Sequence, residues 1–232
     1  LRVSIQDHYR TYSAHNGAEG IAKAIEIIPD IIISDIMMPE KDGYDLCDTL
    51  KKDERTSHIP IILLTGKADT DSKILGLEHG ADVYLAKPFN RSELLIRLRN
   101  LMALRQEIQK HYSETDISQP VAGLSGVENS FLQKVRSLIL EHLEDENFSI
   151  TMLCDLVNLS RPQLHRKLTA ITGESTSSLI RKVQLARAKE LLAMGEYNVS
   201  EVAYRSGFKT QAHFSRVFSE SLGTSPSNYL KK

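Results

Sequence analysis

Three short apolar runs, separated by segments with helical periodicity, constrain the fold of the first half of the chain. The runs cover Ile31–Asp35, Ile61–Thr65 and Asp82–Leu85. Runs that are apolar at nearly every position are typical of parallel strands with both faces covered. Helical patterns lie near residues 17–28, 43–53, 70–79 and 91–110. This alternation predicts an α/β layer fold with right-handed crossovers.

The second half has no strand pattern from Val127 onward. Its helical patterns lie near residues 129–144, 150–157, 161–171, 176–194, 199–205, 209–221 and 226–231. Between the halves, residues 111–126 contain Ser, Pro and Gly without a sustained period, which indicates a linker. We therefore predict a first domain over residues 1–110 and an all-α domain over residues 127–232.

The charge of the chain is divided between these domains. The 232 residues carry a net charge of −1, but residues 1–119 carry −4 and residues 120–232 carry +3. The basic second part favours a polyanionic partner. No stretch reaches the roughly 18 apolar residues of a membrane span, so we expect no membrane contact by this segment. Cys47 and Cys154 lie in separate helical patterns, which favours a reducing, cytoplasmic compartment.

Each apolar run of the first half is closed by a polar side chain, and these are Asp35, Thr65 and Lys87. Because the carboxyl ends of parallel strands meet at one edge of a sheet, we expect these three side chains to lie close together. A carboxylate can act as a nucleophile, and an ammonium and a hydroxyl can hold phosphoryl oxygens. The arrangement predicts phosphoryl chemistry, in a phosphoacceptor or in a phosphatase-like hydrolase.

The motifs around these positions resemble the receiver domain of bacterial response regulators. They are Ser34–Pro39, Asp42-Gly43, Leu64-Thr65 and Lys87–Phe89. The resemblance runs from Leu1 to about Leu104 and implies a flavodoxin-like fold. It implies that Asp35 accepts a phosphoryl group from a histidine kinase domain, while Thr65 and Lys87 hold the phosphoryl oxygens. It also implies that Tyr84 is an aromatic switch residue and that the Lys87–Pro88 peptide bond is a candidate for the cis form.

The resemblance further implies a Mg²⁺ ion, held by Asp35, by the backbone carbonyl of Met37 and by an acidic pair that ends the first strand. Leu1–Asp7 instead resembles the end of the first helix, and Tyr9–Ala14 resembles the second strand. The first strand, a central one in the family order 2-1-3-4-5, and the acidic pair are therefore expected to be absent from this chain. Because Mg²⁺ needs several hard oxygen ligands, we predict that the chain as written is phosphorylated weakly or not at all.

Two helix–turn–helix patterns occur in the second half, over residues 150–171 and 199–222. In each, the second helix has an apolar face and a polar face. The outward polar side chains are Arg161, Gln163, His165, Arg166, Lys209, Gln211, His213 and Arg216. Arg, Gln and His can bond base edges, and Lys favours phosphates, so this face predicts DNA binding.

The pattern that joins the two motifs, residues 176–194, is apolar on two sides. Leu179 and Val183 belong to one stripe, and Leu185, Ala188 and Leu192 belong to the other. A helix of this kind is usually buried between two partners. Its length of about 27 Å would hold two recognition helices near the ~34 Å repeat of successive major grooves.

The second half resembles the AraC/XylS family of transcription regulators over about Phe131–Lys232. The most specific residues are Gly207-Phe208, Phe214–Phe218 and Ser225–Tyr229. The resemblance implies binding to double-stranded DNA, with His165, Arg166, Gln211 and Arg216 as the base or groove contacts. Pro162 stands at an outward position where other members carry a contacting side chain.

Together the two halves resemble the C-terminal end of hybrid two-component proteins, in which a kinase lies upstream on the same chain. This implies a phosphorylation-regulated, DNA-binding transcription regulator that acts as a homodimer and has no enzyme activity of its own in this segment. An alternative is a DNA-binding regulator whose receiver is only a dimerisation platform.

Overall fold

The structure, a computed structural model, describes residues 9–66, 79–114 and 123–229. The chain divides into two compact units. The first contains the described residues up to Glu114, together with two short later segments, and the second contains most of the chain from Asn129 onward. None of the described helices has an apolar stretch long enough to cross a bilayer.

The first unit is built on a parallel sheet of three strands in the order β1-β2-β3. They are β1 (Ile32–Asp35), β2 (Ile61–Thr65) and β3 (Val83–Ala86). β2 is buried at all five positions, as its uninterrupted apolar sequence predicts. The three predicted strands are confirmed, although the last begins at Val83 and not at Asp82, whose carboxylate instead accepts a hydrogen bond from the backbone N–H of Ile61.

Helices cover both faces of this sheet. They are α1 (Gly17–Ile27), α2 (Gly43–Lys52) and α3 (Arg91–Glu114). Ile61 and Leu63 of β2 pack in a cluster with apolar residues of α1 and α2, whereas Ile62 and Leu64 pack with residues of α3. Because successive strand residues point to opposite faces, one strand supplies both cores. The predicted α/β layer fold is confirmed.

The start of this unit differs from the sequence prediction. The predicted strand at Tyr9–Ala14 is wrong, because these residues form no strand. A strand needs a neighbour for its backbone hydrogen bonds, and the described residues contain no first strand beside which it could pair. The expected helix ending at Leu1–Asp7 lies outside the described residues, as does most of the helix expected at 70–79.

The predicted linker differs from the structure at both ends. α3 continues to Glu114, since no Gly or Pro interrupts the sequence there. The next helix, α4 (Gly126–Glu141), begins at the last residue of the expected linker. The domain limits 1–110, 111–126 and 127–232 stay a prediction.

From Gly126 onward the described chain is helical. After α4 come α5 (Ile150–Leu156), α6 (Arg161–Thr172), α7 (Thr176–Met194), α8 (Val199–Arg205), α9 (Gln211–Leu222) and α10 (Pro226–Tyr229). Two of these helices begin at capping side chains: the Ser149 side chain accepts from the N–H of Met152, and Asn198 forms a capping box with Glu201. The all-α second half is confirmed.

The last long helix of this half begins two residues later than the sequence predicts. The sequence predicted that the helix of the second motif begins at Lys209, but α9 begins at Gln211. Thr210 is its N-cap, with an extended backbone and a hydroxyl that accepts from the N–H of His213 at 3.2 Å. A capping threonine takes the first free N–H groups of the helix, so Lys209 lies just outside it.

Candidate phosphoacceptor site and DNA-binding surface

The three predicted strand-end residues meet at one edge of the sheet. Asp35 ends β1, Thr65 ends β2, and Lys87 directly follows β3. The Lys87 ammonium forms an ion pair with Oδ2 of Asp35, and the Lys87 backbone N–H donates to the Thr65 carbonyl oxygen at 2.7 Å. The structure therefore brings together the carboxylate, the hydroxyl-bearing residue and the cation that the sequence placed at this edge.

These side chains differ in their access to solvent. Asp35 and Lys87 are 35% and 41% exposed, whereas Thr65 is buried. The second carboxylate oxygen of Asp35, Oδ1, lies 3.4 Å from the backbone nitrogen of Met37, whose side chain is 85% exposed. Asp35 is thus open to a reacting molecule while one of its oxygens is held by Lys87.

Gly43 allows the chain to pass close to this site. A Cβ atom at Gly43 would lie 2.5 Å from the carbonyl oxygen of Asp35 and 2.8 Å from the Cα of Ile36. Its N–H donates to the Ile36 carbonyl oxygen at 2.9 Å, and the preceding Asp42 caps α2 by accepting from the N–H of Asp45. The Asp-Gly pair of the sequence motif therefore starts α2 directly against the strand that carries the carboxylate.

Tyr84 makes a contact that sequence reasoning missed. Its hydroxyl donates to the hydroxyl of Tyr44 at 2.6 Å, across 40 positions of sequence. Burial, together with this hydrogen bond, raises the pKa of the Tyr84 hydroxyl. No sequence signal pairs the two residues, because only the packing of α2 against the sheet brings them together.

Two further expectations concern the backbone and the metal. The Lys87–Pro88 peptide bond is cis, as the resemblance implied. Asp35 and the Met37 carbonyl are hard oxygen ligands of the kind that Mg²⁺ accepts. Within the described ranges, however, no group of three His, Cys, Asp or Glu side chains could hold a metal ion. The assignment of Asp35 and the Met37 carbonyl as Mg²⁺ ligands stays a prediction.

The first helix–turn–helix consists of α5 and α6. Leu164 and Leu168 are fully buried, while Arg161, His165 and Arg166 are exposed on the other side of α6. This is the amphipathic arrangement that the sequence predicted.

Gln163 behaves differently from the other predicted contacts of α6. It is half-buried, and its Oε1 accepts from the backbone N–H of Ser160 at 3.0 Å, while the Ser160 hydroxyl faces the N–H of Gln163 at 3.4 Å. This reciprocal arrangement is a capping box. The Gln163 side chain is therefore engaged at the start of α6 and is not simply an outward polar group.

The second helix–turn–helix consists of α8 and α9. Phe214, Val217 and Phe218 are buried, in one cluster with Phe208 of the turn and with Leu185, Ala188, Leu191 and Leu192 of α7. The polar side chains predicted to meet DNA are all exposed, namely Lys209, Gln211, His213 and Arg216. The His213 ring contacts the edge of Phe208, with 5.6 Å between the ring centroids.

The joining helix α7 is buried along both predicted stripes. Leu179 and Val183 are buried on one, and Leu185, Ala188 and Leu192 on the other. Met194, the last residue of α7, is 56% exposed.

Comparison with known proteins agrees with this arrangement of two domains. The family model of the response regulator receiver domain matches residues 1–99, and that of a helix-turn-helix domain matches residues 153–232. Response regulator ArlR of Staphylococcus aureus is 30% identical over 176 residues, which are 75% of this chain and 75% of that protein. The chain belongs to the response regulator family.

This response regulator consists of a flavodoxin-like receiver followed by an AraC-type helix–turn–helix domain. Histidine kinase P4 of Formosa agariphila is 33% identical over the whole of this chain, which spans only 17% of that protein. The DNA-binding domain of AdpA, solved in complex with a target DNA, is 30% identical over 43% of this chain and 88% of that chain, with a TM-score of 0.40.

Proposed function

We propose that this response regulator is a phosphorylation-regulated, sequence-specific transcription regulator of a two-component phosphorelay, in which Asp35 accepts the phosphoryl group. The observation that carries the proposal is the ion pair of Asp35 with Lys87 beside the end of β2. A partly exposed carboxylate that already faces a cation can attack phosphorus while the cation takes up the charge of the phosphoryl oxygens.

In the proposed step, a carboxylate oxygen of Asp35 attacks the phosphorus of a phosphohistidine on a histidine kinase domain. The P–N bond breaks, the imidazole leaves with the electron pair and takes up a proton from water, and Asp35 becomes an acyl phosphate. Lys87 then pairs with a phosphoryl oxygen in place of the free carboxylate. The Thr65 hydroxyl donates to another phosphoryl oxygen, and Tyr84 follows the movement of Thr65.

Mg²⁺ is the cofactor that the receiver family implies. When bound, it would neutralise charge on the phosphoryl oxygens, and Asp35 and the Met37 carbonyl would be its ligands among the described residues. Because these ligands are few, we expect the 232-residue chain to be phosphorylated weakly or not at all, even at high Mg²⁺ concentrations.

The proposed output is binding to double-stranded DNA by a homodimer in the cytoplasm. The exposed side chains of α6 and α9 would contact the DNA, and those at base edges or in the groove would be His165, Arg166, Gln211 and Arg216. Phosphorylation would shift the receiver between two states that differ in dimerisation or in release of the DNA-binding domain.

The test combines phosphorylation with DNA binding. The chain is incubated with a phosphorylated histidine kinase domain or acetyl phosphate at high Mg²⁺, and acyl phosphate is followed by intact mass. Asp35→Asn should take up no phosphoryl group, whereas Asp30→Asn, which alters an exposed carboxylate of the same unit, should match the wild type. DNA sites are selected from a random pool, and affinity and oligomeric state are measured with and without the phosphodonor.

Three results would contradict the proposal in different ways. Uptake of the phosphoryl group at another residue would show that Asp35 is not the phosphoacceptor. Equal DNA affinity and oligomeric state with and without acyl phosphate would favour a receiver that is only a dimerisation platform. Steady turnover of a phosphomonoester would instead favour a hydrolase.

A further inference from the structure

The hydroxyl groups of Tyr84 and Tyr44 join two elements of the first unit. Tyr84 lies in β3, Tyr44 lies in the first turn of α2, and 2.6 Å separate their hydroxyl oxygens. Both rings pack against the apolar cluster that Leu46 and Leu50 of α2 form with the sheet. The bond is therefore part of a half-buried contact and is less open to competition from water than a surface bond would be.

The ring of Tyr44 also contacts His79. The imidazole ring of His79 lies 5.0 Å from the Tyr44 ring, centroid to centroid, and its Nδ1 lies 3.0 Å from Oδ1 of Asp48. Asp48 is one helical turn beyond Tyr44, so both side chains project from the same side of α2. The hydrogen bond with His79 holds the pKa of the Asp48 carboxyl below its usual range. Tyr44 thus contacts His79 with its ring and Tyr84 with its hydroxyl.

We propose that Tyr44 is a positioning residue for the response: its hydroxyl holds Tyr84 in the half-buried arrangement that packs against α2. This rests on the proposed function, in which Tyr84 is the switch residue. The bond favours one arrangement of the Tyr84 side chain, so its loss would shift the balance between that arrangement and others. One net hydrogen bond changes an equilibrium by about fivefold, which is enough to bias a switch between two states of similar free energy.

The first variant is Tyr44→Phe in the whole 232-residue chain, since it keeps the ring and removes only the hydroxyl. The chain is labelled with 3-fluorotyrosine, and the ¹⁹F resonance of Tyr84 is assigned by its loss in Tyr84→Phe. In Tyr44→Phe we expect the Tyr84 resonance to broaden or to split, because the side chain samples a second rotamer. We also expect the affinity of the unphosphorylated chain for its selected DNA site to change by about fivefold.

Tyr84→Phe removes the same bond from the other partner. Its effect on DNA affinity should have the same sign, and the double variant Tyr44→Phe/Tyr84→Phe should change affinity no more than either single variant, because one bond is lost in all three. Tyr12→Phe is the matched control: its side chain is 51% exposed, and we expect neither the Tyr84 resonance nor DNA affinity to change. Urea denaturation verifies that each variant is folded.

The outcomes separate this proposal from the function on which it rests. If the Tyr84 resonance of Tyr44→Phe keeps the position and width of the wild type, Tyr44 does not position Tyr84 and the proposal is overturned. Additive effects of the two substitutions on DNA affinity would also overturn it. A third outcome is that the Tyr84 resonance changes while DNA affinity stays constant in every variant. Tyr44 would then position Tyr84, but the arrangement of Tyr84 would not be coupled to DNA binding. Should Tyr44→Phe not fold, Tyr84→Phe supplies the same test through the Tyr44 resonance.

Discussion

The ammonium group of Lys87 donates a hydrogen bond to Oδ2 of Asp35, although the two residues lie at the ends of strands that are not neighbours. β2 lies between β1 and β3, and Thr65 ends it between the two partners. The contact thus spans the edge of the sheet over the end of the central strand. A phosphoryl group on Asp35 would meet a positive charge there without a rearrangement of the backbone.

Lys87→Met should slow the phosphorylation of Asp35 by about tenfold. This is the low end of the effect expected for loss of a charge-assisted hydrogen bond, because solvent weakens a partly exposed ion pair. The measurement is the initial rate of acyl phosphate formation from acetyl phosphate, followed by intact mass. Lys41→Met, in which another exposed lysine of the same unit is changed, should keep the wild-type rate. A wild-type rate in Lys87→Met would show that the cation takes no part in the transfer.

Arg216→Ala should weaken binding to the selected DNA site by about 1–3 kcal/mol if its guanidinium contacts a base edge. The side chain is exposed on α9, opposite the buried Phe214 and Phe218. Affinity is measured by fluorescence anisotropy at several salt concentrations, with Arg181→Ala of α7 as the control. The assignment would be wrong if neither the affinity nor its salt dependence changed in Arg216→Ala.

Gly207→Ala should destabilise the second helix–turn–helix more than Gly195→Ala does. Both glycines have positive φ, +83° and +69°, so each substitution costs about 1–2 kcal/mol in backbone strain. A Cβ at Gly207 would also lie 2.9 Å from Nε2 of Gln184 and 3.0 Å from the carbonyl oxygen of Leu143, whereas a Cβ at Gly195 would meet open space. We expect a further ~1–3 kcal/mol at Gly207 from this crowding, measured by urea denaturation. Equal losses in the two variants would contradict this account.

Cys47 should make the stability of the first unit fall at alkaline pH. Its side chain is fully buried, and burial raises the pKa of its thiol to about 11. Between the ordinary thiol pKa and this value, the unfolded chain has lost a proton that the folded chain keeps, so the free energy of unfolding falls by about 1.4 kcal/mol per pH unit. The slope of stability against pH above pH 9 should therefore be shallower in Cys47→Ala, which removes the thiol. Parallel curves for the two proteins would contradict the raised pKa.

Much of this protein follows from local sequence. The uninterrupted run Ile61–Thr65 predicts a strand buried on both faces, and the capping residues Ser149 and Asn198 mark where helices begin, because these effects depend on nearest neighbours in the chain. The polar residues that close the three runs indicate the site for the same reason: strand direction and sheet order are enough to place Asp35, Thr65 and Lys87 at one edge. The exposed face of α9 also follows from the spacing of Phe214, Val217 and Phe218.

Other features were decided by contacts between residues far apart in sequence. The Tyr9–Ala14 segment has a strand-like sequence, but the part of the chain that the structure describes contains no strand paired with it. Gln163 has an outward helical position but turns back to cap α6. The hydrogen bond of Tyr84 with Tyr44 and the crowding of Gly207 by Gln184 and Leu143 have no signature in periodicity. Periodicity specifies which face of an element is buried. Only the packing of whole elements, in which hydrophobic burial fixes their relative positions, specifies which side chains on those faces come within hydrogen-bonding distance.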